Sequence, residues 1–173
     1  VYRSTREAVE DLERAGRLMG IKEEVDPHLA MAVIQRRVYE AGGPAILFEN
    51  VKGSSFPCVS NLFGSLAQSE FLFRDRYEQV KELFSYKADK ANLKQLKNPL
   101  RLWRVLKQLL YTRPRKVSAS KAAVFECEAK LSDLPQIVCW EDDGGAFVTL
   151  PQVYSEDVRD PGPMNSNLGM YRI

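Results

Sequence analysis

The feature that most restricts what this chain can fold into is a pair of apolar runs, AILFEN at 45–50 and FPCVSNLF at 56–63, joined by the turn-prone Lys52-Gly53-Ser54-Ser55. Both are rich in β-branched and aromatic residues, and each suits a strand in a covered sheet. Helical signals precede them. Ser4-Thr5-Arg6-Glu7 spells a capping box, Ala8, Leu12 and Ala15 follow at helical spacing, and Gly16 sits where a left-handed C-cap belongs, so a helix is predicted over residues 5–15. Residues 18–21 read as a brief strand. Asp26-Pro27 then starts a second helix, which Leu29, Ala32, Val33, Arg36 and Val38 carry to Ala41 before Gly42-Gly43-Pro44 stops it. A third helix is expected over 69–85. Strands mixed with helices indicate α/β or α+β; the expected fold class is α+β, with a first domain over residues 1–85.

The formal charge of +2 conceals a strong asymmetry. Residues 81–121 hold twelve Lys or Arg against Glu82 and Asp89, a net +10, which leaves −8 on the rest. Such a segment is able to grip nucleic acid, an anionic membrane surface, or an acidic region of its own fold. Leu93, Leu96, Leu100, Trp103, Leu106 and Leu110 recur every three or four positions within it, an apolar helical stripe opposite the bases, and packing is the expected use of that stripe. No zinc-finger, homeodomain or RNA-recognition signature accompanies the charge, so nucleic acid is not an expected partner, and membrane contact is at most peripheral. The span 86–117 is read as a basic helical connector that ends at Arg113-Pro114-Arg115.

Beyond Ser118 the texture changes to short extended runs at 123–127, 137–139, 146–150 and 168–173, divided by Asp, Gly and Pro clusters. They read as the opening strands of a β-rich domain, 118–173. A strand needs neighbours to satisfy its backbone, and four short strands ending in GMYRI suggest half a barrel, so the chain is expected to be a fragment. No stretch approaches 18 apolar residues, which excludes a membrane-spanning helix. The opening VYRSTREAVEDLERAG has early acids and no apolar run, unlike a signal peptide, and a cytoplasmic location is expected. Cys58, Cys127 and Cys139 form no CxxC pair and read as reduced, mostly buried thiols.

Most familiar active sites are absent: there is no GxGxxG, GxxxxGK[ST], HExxH or GxSxG, and the one histidine, His28, reads as a surface residue at a helix start. Glu141-Asp142-Asp143 before Gly144-Gly145 reads as a solvated turn, with cation binding as its alternative. NLGMYR at 167–172 is more informative. In an extended strand it places Asn167, Gly169 and Tyr171 on one face and Leu168, Met170 and Arg172 on the other. An Asn carbonyl is a hard ligand for Mg²⁺, Mn²⁺ or K⁺, and Gly lets a ligand approach the backbone. An inward Arg172 must meet an anion, and the residues alone leave both a structural salt bridge and an anion site open.

Several segments together resemble the UbiD family of decarboxylases: EDLERAGRL, IKEEVDPHLAMAVIQRRVYEAGGPAILFENVKG, FPCVSNLFGS, DLPQIVCWEDDGGAFVTLP and NLGMYRI, in family order. The resemblance is weak over residues 75–117. It implies an N-terminal α/β domain followed by the first strands of a split β-barrel that holds prenylated FMN, with Mn²⁺, or K⁺, bridging to the cofactor phosphate. Carried over by position, Asn167 matches the family's metal-binding asparagine. Met170, Tyr171 and Arg172 match the strand along the flavin, and Thr149 matches an adjacent approach to the cofactor. Arg172 also matches the catalytic arginine that positions the substrate carboxylate.

The implied reaction is reversible, non-oxidative decarboxylation of an aromatic or α,β-unsaturated carboxylic acid. A flavin prenyltransferase would supply the cofactor, and the enzyme would be a homo-oligomer, dimer or hexamer. The family's other metal ligands and its acidic proton donor lie downstream of NLGMYR, so the isolated fragment is expected to be inactive. The competing reading from residues alone is a non-catalytic anion-binding module built on 81–121, directed at nucleic acid or an acidic membrane.

Overall fold

The structure, a computed structural model, describes residues 2–88, 98–111, 117–122, 125, 127–148 and 151–172 of the 173. Helix α1 (Thr5–Arg14) starts as its capping signal requires, with Glu7 N–H donating to Ser4 Oγ at 3.3 Å. The Glu7 carboxylate accepts from Arg3 N–H at 2.7 Å, one residue earlier than in the usual reciprocal box. At the other end Gly16 adopts φ +67° and Arg17 N–H donates to Leu12 O at 2.8 Å, closing the helix as predicted.

Strand β1 (Leu18–Val25), helix α2 (Ala30–Glu40) and strand β2 (Ala45–Val51) form a β-α-β unit with β1 and β2 parallel. β2 then pairs antiparallel with the three-residue strand β3 (Cys58–Ser60), so it is the central strand of the sheet. Its apolar start is the heart of the core: Ala45, Ile46 and Phe48 are fully buried. Ile46, Phe48 and Val51 pack with Val25 and Met31, and Ile34 and Val38 of α2 lie against them. Ala45 packs instead with Leu12 of α1 and with Leu72. Alternation along a strand explains how one short run serves two clusters.

Several elements depart from expectation. β1 runs to Val25, longer than the predicted brief strand. α2 starts at Ala30 rather than at Asp26-Pro27, because the backbone of 27–29 is engaged elsewhere: Leu29 N–H donates to Val138 O at 2.9 Å and Val138 N–H to Pro27 O at 3.2 Å. Leu29 itself takes φ +66°, a conformation uncommon for a side-chain-bearing residue. His28 is exposed in this turn, and its N–H donates to Asp26 Oδ1 at 2.9 Å.

The single helix expected over 69–85 is two, α3 (Leu66–Phe73) and α4 (Tyr77–Ala88). They part at Arg74, whose guanidinium bonds the Phe71 carbonyl at 2.8 Å and reaches Asp11 Oδ2 of α1 at 2.6 Å and the Tyr2 hydroxyl at 2.8 Å. Hydrogen bonds from Tyr2 and Arg74 hold the Asp11 carboxyl below its ordinary pKa.

Helix α5 (Pro99–Tyr111) forms within the basic span, and its apolar stripe is open on the described chain. Leu100, Trp103, Leu106 and Leu110 are exposed, and Val105, off the predicted stripe, is buried. Leu93, Leu96 and Arg113-Pro114-Arg115 lie outside the described residues. No helix among the described residues is long and apolar enough to cross a membrane.

Beyond α5 only two strands form among the described residues, β4 (Gln152–Glu156) and β5 (Ser166–Met170), paired antiparallel. β4 was not predicted. Its alternation of polar residues with Val153 carries little apolar signal, and its partner defines it. Of the runs predicted as strands, 168–173 corresponds to β5, 137–139 contributes one parallel bridge between Val138 and His28, and Phe125 lies in a short turn of 3₁₀ type. Residues 123, 124, 126, 149 and 150 lie outside the described set. Cys127 is exposed and Cys58 and Cys139 are half-buried, all three free thiols. Burial pushes the Cys58 thiol pKa up.

Phe48 fills the β2–α2 cluster completely, so Phe48→Ala should lower unfolding free energy by about 3–5 kcal/mol, the usual cost of emptying a buried aromatic site. Urea unfolding followed by circular dichroism measures this. A loss below about 1 kcal/mol would contradict the core assignment.

Candidate functional site

The residues singled out in NLGMYR lie at the end of the β4–β5 ribbon, where Val153 faces Gly169 and Ser155 faces Asn167. Asn167, Gly169 and Tyr171 share a face, as the alternation predicts. The Tyr171 ring folds back over Gly169 so closely that a Cβ there would lie 2.6 Å from it, and Asn167 Nδ2 donates to the Tyr171 hydroxyl at 3.3 Å. A side chain at Gly169 would displace the Tyr171 ring, whereas the backbone angles there make no demand for glycine. The Asn167 amide is oriented by this bond, and its carbonyl Oδ1 has no hydrogen-bond partner among the described residues.

Met170 and Tyr171 are both more than half exposed, an apolar surface open to solvent on the described chain. Thr149 lies outside the described residues.

Arg172 leaves the ribbon and turns onto the loop 137–147. Its Nη2 lies 2.7 Å from Asp143 Oδ2, and its guanidinium sits 3.8 Å above the centroid of the Phe147 ring. The salt bridge left open by the sequence is thus present. It occupies one nitrogen of a planar group with five N–H donors. Stacking of a guanidinium on an aromatic face fixes its plane as well as its position.

Asp143 departs from the reading of its cluster as a solvated turn: Glu141 and Asp142 are exposed, whereas the Asp143 side chain is only 11% exposed. Its Oδ2 accepts from Cys139 N–H and Trp140 N–H, each at 3.1 Å, besides Arg172. The Arg172 hydrogen bond, helped by the two backbone donors, holds the Asp143 carboxyl below the usual carboxylate range against the opposing effect of burial. The sequence offered one signal: an inward arginine needs an anion, and DDGG supplies an acid in a tight turn.

The loop is fixed in its turn. Phe147 N–H donates to Ile137 O at 2.9 Å, Asp143 N–H to Trp140 O at 3.1 Å, and Val138 is bridged to the 27–29 turn. Ser54 Oγ donates to Asp133 O at 2.7 Å just upstream. Arg172 is thereby referenced, through Asp143 and Phe147, to the N-terminal sheet.

A cavity of about 730 Å³ lies between α2, β3 and this loop, lined by Met31, Val33, Tyr39, Cys58, Cys139 and Trp140 among others. It is mostly apolar. No group of three or more His, Cys, Asp or Glu that could hold a metal occurs among the described residues. Asn167 Oδ1 is a hard oxygen donor of the right kind for Mn²⁺ or K⁺, and as a single donor it fits such an ion only as one ligand of several.

Comparison with known proteins gives the site a context. Residues 9–87 match the family model of the 3-octaprenyl-4-hydroxybenzoate carboxy-lyase N-terminal domain, and residues 114–173 match that of the Rift-related domain of the same carboxy-lyase. An uncharacterized protein of Chlamydia trachomatis serovar D is 38% identical over 174 residues, which is 98% of this chain and 29% of that protein. A 4-hydroxybenzoate decarboxylase chain of Chlamydia pneumoniae is 39% identical over 157 residues, 86% of this chain and 25% of the relative.

Among solved structures, vanillic acid decarboxylase of Sedimentibacter hydroxybenzoicus in its closed form has a TM-score of 0.75 at 28% identity, over 99% of this chain and 35% of that one. An evolved dimeric form of the UbiD-class enzyme HmfF from Pelotomaculum thermopropionicum, in complex with prFMN, shares the fold with a TM-score of 0.69 at 22% identity, over 99% of this chain and 35% of that one. The chain thus spans only about a third of the length of these relatives, or less.

The Asp143 pair carries a pH signature. A carboxyl whose pKa is lowered by folding adds stability that is present above its unfolded value and is lost as pH falls through the folded one. The Asp143 carboxyl ¹³C resonance should therefore titrate with a midpoint below that of an unperturbed aspartate. A midpoint at or above that value would contradict the ion pair.

Proposed function

Because the chain belongs to the UbiD family of carboxy-lyases, we propose that it forms the N-terminal part of a decarboxylase that acts on an aromatic or α,β-unsaturated carboxylic acid with prenylated FMN. The reaction is reversible loss of CO₂ without net oxidation. The observation that carries the reading is Arg172: a guanidinium held flat on Phe147, with one nitrogen engaged by Asp143 and its other donors uncommitted among the described residues. A planar fork held in this way matches a carboxylate. In this reading Arg172 binds and orients the substrate carboxylate, and no residue of the described chain need take its proton.

The other assignments belong to the same proposal. Asn167 Oδ1, in an amide oriented by its hydrogen bond to Tyr171, would be one of several ligands to Mn²⁺ or K⁺, which would supply positive charge beside the cofactor. In this reading the exposed Met170 and Tyr171 belong to the strand along which the flavin would lie, and Thr149 is carried over as a further cofactor contact. Bound prenylated FMN supplies the electron sink for breaking the C–C bond.

Residues 1–85 serve as the N-terminal domain, 86–117 as a connector and 118–173 as the start of the cofactor-binding barrel. The remaining ligands and the proton donor are assigned to the rest of the protein, so residues 1–173 alone are inactive in this reading. A cytoplasmic homo-oligomer, dimer or hexamer, that receives its cofactor from a flavin prenyltransferase completes it.

The test is to co-express the full-length protein with a flavin prenyltransferase and record its visible absorbance and its CO₂ release from a panel of aromatic and unsaturated acids. Arg172→Ala should keep the bound flavin absorbance and lose about 10²–10³-fold in kcat/KM, the range for removing one preorganised charge-stabilising group. A protein that binds no flavin, or an Arg172→Ala variant of unchanged activity, would overturn the proposal.

A further inference from the structure

We infer that Asp143 is the positioning residue for Arg172, fixing the guanidinium from one nitrogen so that its remaining donors are presented to a carboxylate. The inference rests on the decarboxylase reading for the identity of that carboxylate, but its geometry belongs to this chain. Asp143 Oδ2 is itself immobilised by two backbone donors, Cys139 N–H and Trp140 N–H, and the side chain is nearly buried. Arg172 is approached from two directions, by the carboxylate at 2.7 Å and by the Phe147 ring at 3.8 Å. A single salt bridge between flexible side chains fixes little, because both partners retain rotameric freedom. Here one partner is anchored to the backbone and the other is stacked, so position and plane are both set.

Position and plane are what an arginine that orients a reacting carboxylate must have. The neighbouring acids do not substitute: Glu141 and Asp142 are exposed to solvent. The anchor also reaches back to the first domain, since the loop bearing Asp143 and Phe147 is pinned at Val138 to the turn before α2.

The test uses the full-length protein and two measurements. The first needs no turnover: modification of Arg172 by phenylglyoxal, followed by peptide mass spectrometry, with Asp143→Asn compared to wild type. Asn keeps an oxygen acceptor for the two backbone N–H groups while removing the charge. The rate at Arg172 should rise severalfold, with the other arginines unchanged; an unchanged rate at Arg172 would overturn the inference.

The second is a double-mutant cycle in kcat/KM with Asp143→Asn, Arg172→Lys and both together. Asp143→Asn should cost about 100-fold, the scale of a misplacement of about 1 Å, mostly in kcat and with bound-flavin absorbance retained. On the Arg172→Lys background the further loss should vanish. An undiminished loss on that background would assign Asp143 a separate structural role and overturn the inference. If wild type releases CO₂ from no acid tested, the decarboxylase reading fails, and the phenylglyoxal rates still decide the role of Asp143.

Discussion

Strand β2 is paired along both edges and covered on both faces over its first half, which removes Ala45, Ile46 and Phe48 from water at once. A strand in that position tolerates no shift of register, since moving by one residue would exchange its two faces between the α2 side and the α1 side. The neighbours take their places from it. β1 aligns in parallel, α2 covers the Ile46–Phe48 face, and α1 and Leu72 close over Ala45. The turn at 27–29 joins β1 to α2, and its backbone pairs with Val138.

From that turn the placement of the site follows by short steps. Val138 is fixed by two backbone hydrogen bonds, the loop after it closes on Asp143 and Phe147, and these receive Arg172 from the end of the β4–β5 ribbon. The cost of the arrangement is borne at Leu29, whose left-handed backbone is kept because both of its flanks are held.

The sequence was readable where a local rule decides the outcome. Ser4, Glu7 and Gly16 bounded α1, and the alternation in NLGMYR put Asn167, Gly169 and Tyr171 on one face. It was not readable where a distant partner decides. α2 starts late because of Val138, the helix over 69–85 breaks because Arg74 turns to Asp11, and β4 exists because β5 lies beside it. Asp143 belongs to the second kind. Its composition is that of a surface turn, and only the arrival of Arg172 and the closure of the loop on its own amides distinguish it from Glu141 and Asp142. The stripe on α5 shows the converse, a regular apolar period whose side chains stand open on the described chain.

The bridge between His28 and Val138 has a bearing on how the molecule is made. It closes a span of about 110 residues, and the entropy of such closure grows only with the logarithm of its length. The sheet on one side of it is built from contacts close in sequence, the kind that form early. The 27–29 turn has its observed form with Val138 bonded to it on both sides of His28. The seat of Arg172 is thus tied to the sheet by a long-range closure rather than by contacts local in sequence.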